Sequence, residues 1–177
     1  LMKIPITGGI AEPLCEARSF GGASWSDDGT IAFAPTLTGG LFKISEKGGK
    51  PQPLTTVKAG EASHRLPCWL PGGRALLFTI MKQAHDLQPA LAAVDIESGA
   101  HRVVQIDAAD PRLTSTGHLL FTRRGVLMAV PFDVTRVQPV GEPVSVLSDV
   151  MQSLNSLSSF DWIGSAQFSV SDTGDLV

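Results

Sequence analysis

Ala23-Ser24-Trp25-Ser26-Asp27-Asp28-Gly29-Thr30-Ile31-Ala32-Phe33 reads as a short strand, a tight turn and a second strand. Asp28-Gly29 carries the turn: glycine accepts a positive φ without a Cβ clash, and aspartate bonds back to nearby backbone. The phrase returns. Leu70-Pro71-Gly72-Gly73 precedes Ala75-Leu76-Leu77-Phe78, Thr114-Ser115-Thr116-Gly117 precedes Leu119-Leu120-Phe121, and Ser171-Asp172-Thr173-Gly174 precedes Leu176-Val177. The turn glycines stand at 29, 73 and 117, two steps of 44, and then at 174, a step of 57. One hairpin per repeat at a period of this size predicts a β-propeller.

The rest of the chain fills in the repeat. Four-stranded blades are expected over about 22–55, 65–106 and 112–150. Residues 1–16 repeat the Leu41–Thr55 pattern and form the last two strands of a blade. Residues 166–177 form the first two strands of another. The whole is one all-β propeller domain or propeller fragment, with three complete blades and two half-blades. Runs such as Leu76-Leu77-Phe78 and Leu119-Leu120-Phe121 demand cover on both sheet faces, as stacked blades provide. Phe78 and Phe121 are therefore expected between neighbouring blades. Met151, Leu154, Leu157 and Phe160, in a Ser-rich stretch, read as a packed surface loop.

With 43% hydrophobic and 18% charged residues, the 177-residue chain is an ordered globular protein. A net charge of −3 gives no basic stripe for nucleic acid. No apolar run reaches membrane-spanning length, and Leu1–Pro5 opens no signal peptide. Cys15 falls in an outer strand and Cys68 in an inner one, which argues for two small buried apolar residues over a disulfide.

The repeats resemble those of the TolB-like propellers. Trp25-Ser26-Asp27-Asp28-Gly29 is similar to that family's Trp-Ser-Pro-Asp-Gly hairpin, and the Gly-His and Trp-Asp signature of WD-type propellers is lacking. Ser63-His64-Arg65-Leu66-Pro67, Gly125–Asp133, Gly141–Val144 and Phe168–Ser171 resemble propellers attached to bacterial serine/threonine kinases. The turn aspartate is replaced by Gly72, Thr116 and Thr173 in the other repeats. The resemblance implies a non-catalytic module for ligand or protein binding, part of a larger propeller or multidomain protein, in a periplasmic or extracytoplasmic setting. Similar propellers also gate substrate access in prolyl-oligopeptidase relatives. No Gly-x-Ser-x-Gly nucleophile elbow is present in this chain. A propeller hydrolase with a channel metal is a further alternative.

In an up-and-down blade, blade-to-blade loops share a face with the loops between strands two and three. That rule gathers His64, Arg65, His85, Asp86, Asp161 and Trp162 on one rim, suited to an anion or a peptide. The competing reading has Glu61, His64 and Arg65 tying one blade to the next by hydrogen bonds, and it is favoured because structural polar networks outnumber sites. The same rule sends His101 and His118 to the opposite face, which excludes a four-histidine centre. Asp27-Asp28-Gly29 lacks the alternating oxygens of a calcium loop. No catalytic residue, metal or cofactor is assigned. Trp25 and Trp69, at matching repeat positions, are expected in the inter-blade core, with Trp162 freer. The two half-blades are expected either to close a four-bladed ring or to associate with other chains or missing blades, and association is favoured.

Overall fold

The computed structural model describes residues 1–83, 88–153, 164–171 and 175–177, and these contain strands and turns without a helix. Blade 1 pairs β3 (Ala23–Trp25), β4 (Thr30–Phe33), β5 (Phe42–Ser45) and β6 (Gln52–Pro53) as an antiparallel meander. Blade 2 pairs β7 (Glu61–Trp69), β8 (Ala75–Lys82), β9 (Ala90–Asp95) and β10 (His101–Ile106) in the same way. Blade 3 comprises β11 (Ala109–Leu113), β12 (His118–Arg123) and β13 (Val126–Asp133). Its fourth strand is broken into β14 (Gln138–Pro139) and β15 (Val144–Leu147), both paired to β13. The N-terminal hairpin joins β1 (Met2–Lys3) to β2 (Glu12–Pro13). At the other end Val170 bridges Leu176.

The turn at Asp28-Gly29 forms as its chemistry dictates. Gly29 holds φ of 81°, and Asp28 Oδ1 accepts from Thr30 N at 2.9 Å and from the Ser26 hydroxyl. A Cβ at Gly29 would meet Glu46 Cδ at 2.9 Å.

Alternation along β8 shows why its run is wholly apolar. Leu76, Phe78 and Ile80 join Ala32, Ala34 and Leu41 in a core between blades 1 and 2. Ala75 and Leu77 face the other way, into a core with Leu119 and Phe121 between blades 2 and 3. Phe78 and Phe121 are both fully buried, as expected. A third core seats the N-terminal hairpin on Ile31, Phe33 and Ile44 of blade 1. A fourth seats Phe168, Val170 and Leu176 on Leu120 and Leu127 of blade 3. Among the described residues, no strand pairing joins the N-terminal hairpin to the Val170–Leu176 bridge.

The inner strands start earlier than the turn pattern suggests. β7 begins at Glu61 and β11 at Ala109. Both strands pass through a proline, Pro67 or Pro111, which an inner edge strand tolerates because its outer amides need no ladder partner. Bulges sit at these points. Cys15 and Cys68 are free thiols, each partly covered.

Candidate functional site

Among the described residues, chemistry comes together in a cleft at one end of the inner strands and in a buried cluster near the other. The cleft grows out of the repeat itself. Trp25, Trp69 and Leu113 end β3, β7 and β11, and the hairpin turns that follow converge beside them. Together they line a cavity of about 470 Å³ with Ser26, Asp27, Asp28, Thr114 and Ser115. Among the described residues, no lysine or arginine lines it. The Asp28 carboxyl is held below the usual aspartate range by the Ser26 hydroxyl and the Thr30 amide. The cleft thus offers two indoles, hydroxyls and carboxylates, a set that accepts a cationic or hydroxyl-bearing group beside apolar surface.

The two tryptophans differ, contrary to expectation. Trp69 packs on the core between blades 1 and 2, and its Nε1 donates to Ser24 O at 3.1 Å. Trp25 is 52% exposed. The element beside blade 1 on that side is the β1–β2 hairpin, which packs on Ile31, Phe33 and Ile44 and leaves the indole uncovered. The equivalence in sequence was real, but only one of the two positions has a preceding inner strand to pack on.

The buried cluster lies on blade 2. Glu61 opens β7, His64 follows on the same strand, and His101 opens β10. Glu61 Oε2 accepts from His64 Nε2 at 2.9 Å and from Lys58 N at 2.6 Å, while Oε1 stands 3.2 Å from His101 Nε2. His64 Nδ1 lies 2.7 Å from Thr55 Oγ1, which accepts from Leu41 N at 2.8 Å. The two imidazoles meet edge to face at 5.0 Å, and His64 packs on Phe78 at 4.7 Å between ring centroids. Burial holds the His64 pKa below its ordinary value, against the pull of Glu61. Burial also pushes the Glu61 carboxyl up, but the Lys58 amide and the two imidazoles outweigh it and the net shift is downward.

His101 was expected on the face away from His64. The rule that put it there treats a blade as flat. In a strongly twisted sheet the diagonal corners turn toward the same side, and the starts of strands one and four meet across the sheet face. His118 stays apart, beside Thr116 Oγ1 at 3.1 Å.

His64 and Arg65 do not stand at the opening of their strand. Both are buried, at 0% and 5% exposure, within β7. Arg65 Nε donates to Ser63 Oγ at 2.8 Å and its Nη2 to Leu37 O at 2.5 Å. With Thr55 and Leu37 in blade 1, these bonds tie that blade to the next. The remaining rim positions, His85, Asp86, Asp161 and Trp162, lie outside the described residues. The hairpin-face cleft escaped the sequence reading, although the 44-residue spacing of Trp25, Trp69 and Leu113 was its signal.

No protein-family model matches the chain, and no curated protein matches it. Solved structures do. The chain is similar to TolB from Acinetobacter baumannii over 98% of its length and 40% of that structure, with a TM-score of 0.66 and 19% identity. It is similar to an oligogalacturonate lyase in complex with manganese over 97% of its length and 48% of that chain, with a TM-score of 0.63 and 15% identity. It is similar to a puromycin hydrolase over 99% of its length and 31% of that chain, with a TM-score of 0.65 and 15% identity. At these identities the likeness is one of fold, and it is the TolB-like propeller fold. The chain spans less than half the length of each of these structures.

Proposed function

We propose that this chain, a run of TolB-like propeller blades, is a non-catalytic binding module whose cleft on the hairpin face takes a protein or peptide segment carrying a basic side chain. The observation that carries the reading is the exposed Trp25 beside Asp27 and Asp28, in a cavity lined without lysine or arginine. An indole held in solvent next to carboxylates suits a cation with an aliphatic stem. The outer-strand ends contribute nothing to this mouth, so recognition rests on the repeat turns.

A display library of random dodecapeptides, selected on the purified chain, tests it. Enriched sequences carrying Lys or Arg, with binding lost in Trp25→Ala while the melting temperature holds, are the expected result. No enrichment on wild type over Trp25→Ala would overturn it.

A second reading, gating of a serine peptidase, draws support from the fold likeness to the puromycin hydrolase. An α/β-hydrolase sequence flanking this segment in its gene would decide for it.

A further inference from the structure

We propose that Glu61, His64 and His101 form a site for one divalent cation of zinc type, bound through a carboxylate oxygen and the two Nε2 atoms. Their candidate ligand atoms all lie within 4.8 Å of one another. Ligands on one tetrahedral zinc stand about 3.4 Å apart, given bonds of about 2.0–2.1 Å. Each carboxylate oxygen is already near that spacing from one imidazole, Oε2 at 2.9 Å from His64 Nε2 and Oε1 at 3.2 Å from His101 Nε2. The second imidazole has to close toward the oxygen that binds and toward the first imidazole, from within 4.8 Å.

The donor set is that of a zinc site with three protein ligands, which leaves a fourth position for water. Glu61 is the partly exposed member, with 13% of its side chain accessible, and gives the route from solvent. The histidines are buried, His64 completely. Thr55 supplies the supporting contact. Its hydroxyl oxygen has two lone pairs, one taken by Leu41 N, and the other stands 2.7 Å from His64 Nδ1, able to accept its proton once the tautomer carries it there. A neutral His64 therefore frees Nε2 for the metal by moving its proton to Nδ1, with no net charge change. This is the arrangement by which an outer hydroxyl or carbonyl orients a metal-bound imidazole. The ion would clasp the inner strand of blade 2 to its outer strand, beneath the segment arriving from blade 1. The Lys58 ammonium, which donates to His101 O at 2.9 Å, is a cation the site has to accommodate.

Zinc chloride titrated into chelator-treated protein, followed by calorimetry, tests the proposal, with cobalt as a visible reporter. Expected are one equivalent bound, a raised melting temperature and a four-coordinate cobalt spectrum. Affinity should fall at least about tenfold in Glu61→Gln and His101→Gln and about 10–100-fold in Thr55→Val, the outer-shell loss. His118→Gln should leave it unchanged. X-ray absorption of the wild-type zinc adduct, which needs no variant to fold, should show two imidazoles and only nitrogen or oxygen ligands. No stoichiometric binding, equal binding in Glu61→Gln and His101→Gln, or an adduct without imidazole ligands would overturn the site. The carboxylate would then be only an acceptor for two imidazole N–H groups.

Discussion

Leu66 and Asp110 hold the same left-handed backbone, with φ of 51° and 56°, at positions 44 residues apart (110 − 66 = 44). Each turns its amide toward the preceding blade. Leu66 N donates to Gly21 O at 2.8 Å, and Asp110 N to Thr79 Oγ1 at 3.0 Å. The corresponding position in blade 1 is Gly22, with φ of 103°. The repeat therefore preserves a backbone conformation where it does not preserve a residue.

Gly22→Ala should cost more than about 1 kcal/mol, since alanine fits poorly at positive φ. Its Cβ would also stand 3.0 Å from Leu66 Cα, and backbone gives way less easily than a flexible side chain. Urea melts check it; wild-type stability would remove the left-handed position from blade 1.

Phe78→Ala and Phe121→Ala should each cost about 3–5 kcal/mol, as buried aromatics do. Both rings are fully buried, in different inter-blade cores. Thermal and urea denaturation of the two variants measures it. Near-native stability of either would mean its blade face is not packed.

The two tryptophans should separate under the same substitution. Trp69→Phe loses the indole bond to Ser24 O and should cost about 1 kcal/mol. Trp25→Phe, at an exposed position, should stay within about 0.5 kcal/mol of wild type. Equal losses in the two would contradict their different surroundings.

Asp110 gives the chain a pH dependence of definite sign. Burial lifts its carboxyl above the usual aspartate range, against the pull of Arg112 Nη1 at 2.7 Å. The folded state then keeps this proton to higher pH than the unfolded state does. Its contribution is full below the unfolded value of about 3.9 and is lost as pH rises through the folded value. Asp110→Asn removes that loss. Relative to wild type, the variant should gain stability between pH 4 and pH 7, read by urea melts across that range. An unchanged difference between the two proteins across that range would refute the shift.

The N-terminal hairpin and the outer strand of blade 3 should drive self-association of this chain. Ile6 is fully exposed and Ile10 is 89% exposed on the N-terminal hairpin, and β15 presents Val144, Val146 and Leu147. Unpaired edges and apolar side chains together invite pairing with another chain. Light scattering should give a mass of twice the 18.7 kDa chain or more. Ile6→Lys with Ile10→Lys should reduce it. A monodisperse monomer at high concentration would exclude the idea.

The blades were legible because their signals are local. Asp28-Gly29 dictates its own turn, and Leu76-Leu77-Phe78 needs two covered faces wherever it sits. The candidate sites were less so, because they depend on neighbours. Trp25 and Trp69 are equivalent in sequence and differ only in what lies beside them. His101 reaches Glu61 through the twist of a sheet, which strand order does not encode. Leu66 and Asp110 carry no glycine to announce their left-handed backbone.

The cores of this molecule are shared between consecutive sheets, so the chain is energetically a short linear array. Stability in such an array is close to a sum of unit terms and neighbour terms. Blades 1, 2 and 3 each have an apolar core on both sides, so the opening of any of them breaks two neighbour terms at once. The N-terminal hairpin and the Val170–Leu176 segment each share one of the described cores. A further unit packed on an outer core lengthens the sum by one unit and one neighbour term and leaves the interior cores as they are.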